Sequence, residues 1–265
     1  VMGILNVTPD SFSDGGRYDA LERAVTHAWE MIDEGAAIID IGGESTRPGA
    51  ADVPLDEELR RVVPVVRRLA RELPVPISID TRRTEVMRQC IAEGAGMIND
   101  VNALREPGAI EAVAGSSAAV CLMHMHGEPR TMQQTPQYED VVGEVEAFLL
   151  RRAEICEAAG IEGERIVLDP GIGFGKTVEH NVALLRATPR LLTAGHPVLI
   201  GVSRKSLIGA LLGQVPVEQR LFGSIGGAVA AALAGARLLR VHDVKATWEA
   251  LRVAWAVRAE ASGEN

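Results

Sequence analysis

Short aliphatic runs recur along the chain at Met2–Val7, Ala37–Ile41, Pro76–Asp80, Met97–Val101, Ala118–Met123, Ile166–Asp169, Val198–Val202 and Leu238–Val241, with longer amphipathic stretches between them. Runs this short and this apolar predict strands buried on both faces. Eight of them alternating with helical stretches predict repeated βα units. The helices differ in clarity. Between Tyr138 and Ala159, residues Val141, Val142, Val145, Phe148, Leu149, Ile155 and Cys156 fall at helical spacing, with Glu139, Glu146, Arg151 and Glu154 outside the stripe. Leu21, Val25, Ala28 and Ile32 make a similar stripe, which Gly35 is placed to end. The stretch Asp56–Glu72 contains Pro64, which removes a backbone donor and predicts a kink or a late start. Gly223–Gly235 is Ala-rich and predicts a closely packed helix, and Thr247–Ala259 a long closing one.

Eight consecutive units can close into a barrel or lie in an open, doubly wound sheet. The barrel is the more economical arrangement for units of this size. The expected fold is α/β: a single (β/α)8 TIM barrel over residues 1–265, with its active site at the C-terminal ends of the strands.

Polar residues gather where such a barrel would open. The first run ends at Asn6; the second at Asp40, with Glu44, Thr46 and Arg47 following; the third at Asp80; the fourth at Asn99 and Asp100. The fifth leads into His124 and His126, the sixth ends at Asp169, the seventh delivers Ser203, Arg204 and Lys205, and the eighth carries Arg240 and His242. Helix capping accounts for a lone Asp or Asn before a helix, and Asp100 is open to that reading. It does not account for all eight sites, nor for the cations at the same end. Asp80, Asn99, Asp169 and Lys205 together suit a flat heterocycle with alternating donors and acceptors, a pterin or guanine-like ligand. Arg47, Arg240 and His242 suit a phosphate or diphosphate, although Arg47 alone equally fits a solvated loop charge.

Composition narrows this further. The length of 265 residues fits one barrel, and 47% hydrophobic with only 3% aromatic residues makes the core aliphatic. A formal net charge of -9 argues against a nucleic-acid surface while leaving room for a small basic pocket. Cys90, Cys121 and Cys156 are odd in number and lie in apolar segments, which predicts free buried thiols in a reducing cytoplasm. The longest mostly apolar stretch, Ile225–Leu239, is shorter than the roughly 20 residues that cross a membrane, so no membrane partner is expected. The chain begins inside a strand-like run, and a short leader is expected before Val1.

Two familiar motifs fail. Leu168–Thr177 has Pro170 where a nucleotide-binding loop needs glycine and Lys176 where a dinucleotide fingerprint does, so its glycines predict a tight turn lying close to a ligand. The spacing of His124, His126, His180 and His242 matches no zinc signature.

The segments Asn6–Gly16 (NVTPDSFSDGG) and Asp40–Gly49 (DIGGESTRPG) resemble two signatures of the dihydropteroate synthase family, whose members bind pterins. Ser78–Thr81, Ile98–Val101, Met123–Met125, Leu168–Gly171, Ser203–Ser206 and Arg240–Asp243 continue the resemblance in order along the chain. Asn102 and Ala103 depart from it, standing where many members have Ser and Gly.

The resemblance implies a transferase of folate biosynthesis, a target class of sulfonamides, that joins 6-hydroxymethyl-7,8-dihydropterin pyrophosphate to p-aminobenzoate. It implies a pterin pocket of Asp80, Asn99, Met123, Asp169, Lys205 and Arg240, and pyrophosphate contacts from Asn6, Thr46, Arg47, Arg240 and His242. On the p-aminobenzoate side it implies Phe12, Thr46, Pro48, Phe174, Ser203 and Lys205. Asp80, Lys205, Arg240 and His242 are the implied catalytic set, with Asn6 a ligand of Mg2+. A homodimer through barrel helices is also implied.

No protein nucleophile is needed for that reaction, and an SN1-like displacement is expected, with charge stabilisation carrying the rate. The segments Thr8–Tyr18 and Gly43–Pro54 are long and rich in Gly, Ser, Asp and Pro, and are expected to close over the substrates. A methyltetrahydrofolate-binding methyltransferase would share the pterin pocket without needing Arg47 or the Arg240–His242 pair. A silent pterin-binding module would be expected to lack Asn6 or Lys205.

Overall fold

The computed structural model describes residues 1–7, 17–44, 53–127 and 136–259. In chain order the elements are β1 (Met2–Asn6), α1 (Arg17–Asp33), β2 (Ile38–Gly42), α2 (Leu55–Glu72), β3 (Ile77–Asp80), α3 (Thr84–Ala92), β4 (Met97–Asp100), α4 (Ala109–Ala114) and β5 (Ala119–Met123). They continue with α5 (Val141–Ala158), β6 (Ile166–Asp169), α6 (Val178–Arg186), α7 (Thr188–Leu192), β7 (Leu199–Ile200), α8 (Ser206–Leu211), α9 (Leu221–Leu233), β8 (Leu238–Val241) and α10 (Val244–Ala259).

All strand pairs are parallel, in the order β6-β5-β4-β3-β2-β1-β8-β7. The two ends of that row meet through a parallel bridge between Leu168 and Val198, where the Leu168 N–H donates to Pro197 O at 2.9 Å. The sheet is therefore a closed barrel, and the open alternative is excluded. Strand β7 is shorter than the run Val198–Val202 predicts. Past Ile200 the chain leaves the ladder and carries Ser203 and Lys205 to the mouth.

Side chains alternate across the barrel wall. The outward set includes Ile39, Ile41, Ile77, Ile79, Ile98, Val120, Leu122, Ile166, Leu168 and Ile200, packed with Val62, Val66 and Leu69 of α2, Val86 of α3 and Leu149 of α5. Each such aliphatic side chain contributes about 1.5–3 kcal/mol by leaving water. Inside the barrel, Met2, Met97, Cys121, Val167 and Leu199 pack with Ile38, Ala119 and Leu238 as an apolar floor.

Two residues further along each strand, the same alternation points Asp40, Asp80, Asn99, Met123, Asp169, Gly201 and Arg240 inward above that floor. The barrel interior thus turns from apolar to polar towards the C-terminal ends of the strands, with neighbouring strands staggered. Asp80 pairs with Asn99 and with Gly42, and Asn99 with Cys121.

Helix α1 ends where expected: Gly35 adopts φ 103, a left-handed conformation that favours glycine. Helix α2 runs unbroken through Pro64 and starts at Leu55, so a late start is not observed. Its apolar face, with Val62, Val65, Val66 and Leu69 buried against the barrel, offsets the missing backbone bond. No described helix is long and apolar enough to cross a membrane.

Candidate active site

Asp80, Asn99, Met123, Asp169, Phe174, Ser203, Lys205, Arg240 and His242 all line one cavity at the C-terminal end of the barrel. Every predicted pterin residue is among them, brought together from five strands and the segment after a sixth. Sequence reasoning did not single out three other lining residues, Ile4, Val101 and Gly201. Period-two counting from Met2 and Leu199 finds Ile4 and Gly201, because both face inward.

Asp40 also went unassigned, although it is completely buried and organises the pocket wall. Arg240 donates through Nε to Asp40 Oδ2 at 2.6 Å and through a terminal nitrogen to Asp80 Oδ2 at 2.7 Å. Asn99 Nδ2 donates to the same Asp40 oxygen at 3.2 Å. Asp40 Oδ1 and Asp80 Oδ1 are left as buried oxygens with no hydrogen-bond partner. A buried acceptor left unsatisfied costs about 1–3 kcal/mol, which a ligand N–H at Asp80 would recover.

Burial raises the Asp80 pKa, with Arg240 opposing and Asp40 adding to the rise. For Arg240, burial disfavours the cation, but Asp40 and Asp80 outweigh it and the pKa rises. Burial also raises Asp169, against the pull of Lys205, while Asp169 Oδ1 accepts from Gly171 N at 2.7 Å. Lys205 is lowered to about 8 by burial, with Asp169 opposing. Its Nζ lies 4.7 Å from the centre of the Phe174 ring and donates to Ile172 O. Arg204 adopts φ 58, the left-handed turn that sends Lys205 back over the cavity.

The phosphate side is less compact. His242 Nδ1 lies 3.0 Å from Ser203 Oγ, and the His242 N–H donates to the same oxygen at 3.2 Å. Asn6 does not line the cavity of Asp80. It lines an adjoining cleft against α1 with Arg23, Thr26, His27 and Arg204, and His242 borders both spaces. Phe12, Thr46, Arg47 and Pro48, and the expected closure of the two long segments, fall on residues outside those described.

Asp100 caps backbone rather than lining the pocket, accepting from the N–H groups of Asn102 and Leu104 at 2.7 Å each. This supports the turn at Ala103, φ 52, where the sequence departs from the family's Ser-Gly. The side-chain helix caps among the described residues are Asp140 on α5 and Thr177 on α6. Asp80, Asn99 and Asp169 are free of that duty.

A closed barrel whose inward layer presents two carboxylates, an amide and two cations to one small cavity is an enzyme site for a planar, nitrogen-rich ligand. Residues 2–242 match the sequence model of the family described as pterin binding enzyme. The chain is 54% identical to the dihydropteroate synthase of Escherichia coli strain K12 over 253 residues, 96% of this chain and 89% of that one. A Yersinia pestis dihydropteroate synthase solved as a sulfonamide drug complex superposes with a TM-score of 0.92 at 51% identity, covering 97% of this chain and 94% of the other. The Xanthomonas albilineans dihydropteroate synthase in complex with 7,8-dihydropteroate superposes at 0.88 and 52% identity, covering 97% and 93%. The chain belongs to the dihydropteroate synthase family.

Proposed function

We propose that the enzyme condenses 6-hydroxymethyl-7,8-dihydropterin pyrophosphate with p-aminobenzoate, forming 7,8-dihydropteroate and releasing pyrophosphate. The observation that carries this reading is the meeting of Asp80, Asn99, Asp169 and Lys205 on one cavity. The carboxylates accept the paired N–H groups of an aminopyrimidinone, while Asn99 and Lys205 donate to its ring nitrogen and carbonyl. Met123 and Arg240 flank the ring faces. The dihydropteroate complex of the Xanthomonas relative and the sulfonamide complex of the Yersinia relative support the same substrates, and the same drug class, for this chain.

The bond between the pterin methylene carbon and the diphosphate oxygen breaks as positive charge spreads into the pterin. Asp80 and Asp169 stabilise that charge, and the aryl amine nitrogen then forms the new C–N bond and sheds a proton. This is an SN1-like path in which preorganised charge does the catalysis. Cys121 lies inside the barrel, but burial lifts its thiol well above the usual range, so it is no candidate nucleophile.

His242 and Arg240, with Arg47 and Thr46, receive the leaving diphosphate. No cluster of His, Cys, Asp or Glu among the described residues could cage a metal ion. Asn6, which offers one neutral amide oxygen in the cleft beside His242, fits Mg2+, a cation that keeps most of its positions for phosphate oxygens and water. Bound there, Mg2+ would neutralise charge on the departing diphosphate.

The enzyme is read as a homodimer. Helix α9 carries no charged residue and exposes Phe222, Gly226, Ala230 and Leu233 along one stripe, with Phe222 83% exposed. Val253 and Val257 of the neighbouring α10 extend the apolar surface. Three free, buried cysteines support a reducing, cytoplasmic setting.

Incubating the purified enzyme with both substrates and Mg2+ should form 7,8-dihydropteroate, detected by chromatography, only when all are present. Absence of product, with the pterin still bound, would favour a silent binding protein instead.

A further inference from the structure

We propose that Lys176 is a positioning residue for the aryl amine substrate, fastening the segment between β6 and α6 to the end of β5 and so holding Phe174 and Ile172 against Lys205. The inference rests on the substrates proposed above. Lys176 is only 3% exposed. Its Nζ donates to the carbonyls of Phe174 at 2.9 Å, Gly171 at 3.0 Å and His124 at 3.2 Å, and lies 3.0 Å from Nδ1 of His124. Burial and then Lys176 lower His124 to about 3, so its ring is neutral. These are the hydrogen-bond partners of Lys176 among the described residues, and none is a carboxylate. A single nitrogen therefore cross-links two chain segments through their backbones.

The segment needs such a link. Gly171, Gly173 and Gly175 all have positive φ, at 67, 85 and 64, so no regular ladder satisfies its carbonyls. It runs flush against β5: a Cβ at Gly171 would lie 1.9 Å from His124 O. The segment holds Lys205 in two ways, through the Ile172 carbonyl that accepts from Nζ and through the Phe174 ring beneath it. Asp80 and Asn99 stand on strands and are held by the barrel ladder instead, and Asp169 stands on β6 although its Oδ1 also accepts from Gly171 N–H. Lys205 serves both substrates while Phe174 serves only the p-aminobenzoate side, so loosening the segment should weaken p-aminobenzoate binding more than pterin binding.

Lys176→Met keeps the length and removes every donor. Steady-state kinetics should show the KM for p-aminobenzoate raised about tenfold or more, while the dissociation constant of the pterin, measured by calorimetry, changes less than threefold. Should Lys176→Met not fold, as judged by circular dichroism, Lys176→Gln keeps two N–H donors without the reach and should raise the same KM at least threefold. Both constants within twofold of the wild type in the folded variant, or equal losses in pterin and p-aminobenzoate binding, would overturn the inference. Wild-type turnover is measured alongside, so failure of the substrate assignment itself appears separately, as no product from the unsubstituted enzyme.

Discussion

His124 stands at the end of β5 with its ring edge-on to Phe148 at 5.0 Å, and it is held neutral in the folded protein, its pKa lowered to about 3. An unfolded histidine takes up its proton near pH 6.5. Acidification below that value therefore favours the unfolded chain, and the loss continues until the folded pKa is reached. Between pH 6.5 and 5 this one residue should lower stability by about 2 kcal/mol. Urea unfolding of wild type and His124→Gln at both pH values checks it, because the variant should lack that share of the decline.

At the pterin end, Asp80→Ala should abolish pterin binding by calorimetry and reduce turnover by at least about a hundredfold; near-normal turnover would refute the role given to Asp80. The pocket side chains were legible from sequence because each follows an apolar strand body at the end where a barrel opens. The partner of Arg240 was not. Asp40 lies 200 positions away and one inward step below the rim, and only barrel closure brings it within 2.6 Å.

Among the elements, α2 shows how packing overrides local preference. Pro64 is exposed in the middle of an 18-residue helix whose opposite face is buried. Pro64→Ala restores a backbone donor at the expense of a more flexible unfolded chain, and should raise stability by about 1–2 kcal/mol in urea unfolding. The long amphipathic helices and most strands were legible to within a few residues, α5 clearest of all. The limits of β7 were not, since the apolar run Val198–Val202 outlasts its hydrogen bonding once the chain turns towards Ser203. Helices α7 and α8 are too short to show a periodic stripe and emerge only from tertiary context.

For the whole molecule, strand order and closure follow from eight alternating units, and the structure shows them directly in the row that ends where β6 meets β7. The association surface was open to no such argument, because the small, uncharged residues of Gly223–Gly235 suit a buried helix as well as an interface. Their exposure on α9 is what supports the proposed dimer. Light scattering after size exclusion should give the mass of two chains, about twice 28.3 kDa, and Phe222→Glu should shift it to one. A monomeric wild type at micromolar concentration would remove the dimer from the account.

The claim beneath the rest is that the polar inward layer above the barrel's apolar floor grips a single flat ring. A crystal structure of the enzyme with a bound dihydropterin tests it most directly. Asp80, Asn99, Asp169 and Lys205 should each place a polar atom within about 3.2 Å of ring heteroatoms, with Asp80 Oδ1 newly satisfied. A pterin bound elsewhere, or one touching Asp80 while Asp169 and Lys205 stay without contact, would contradict it.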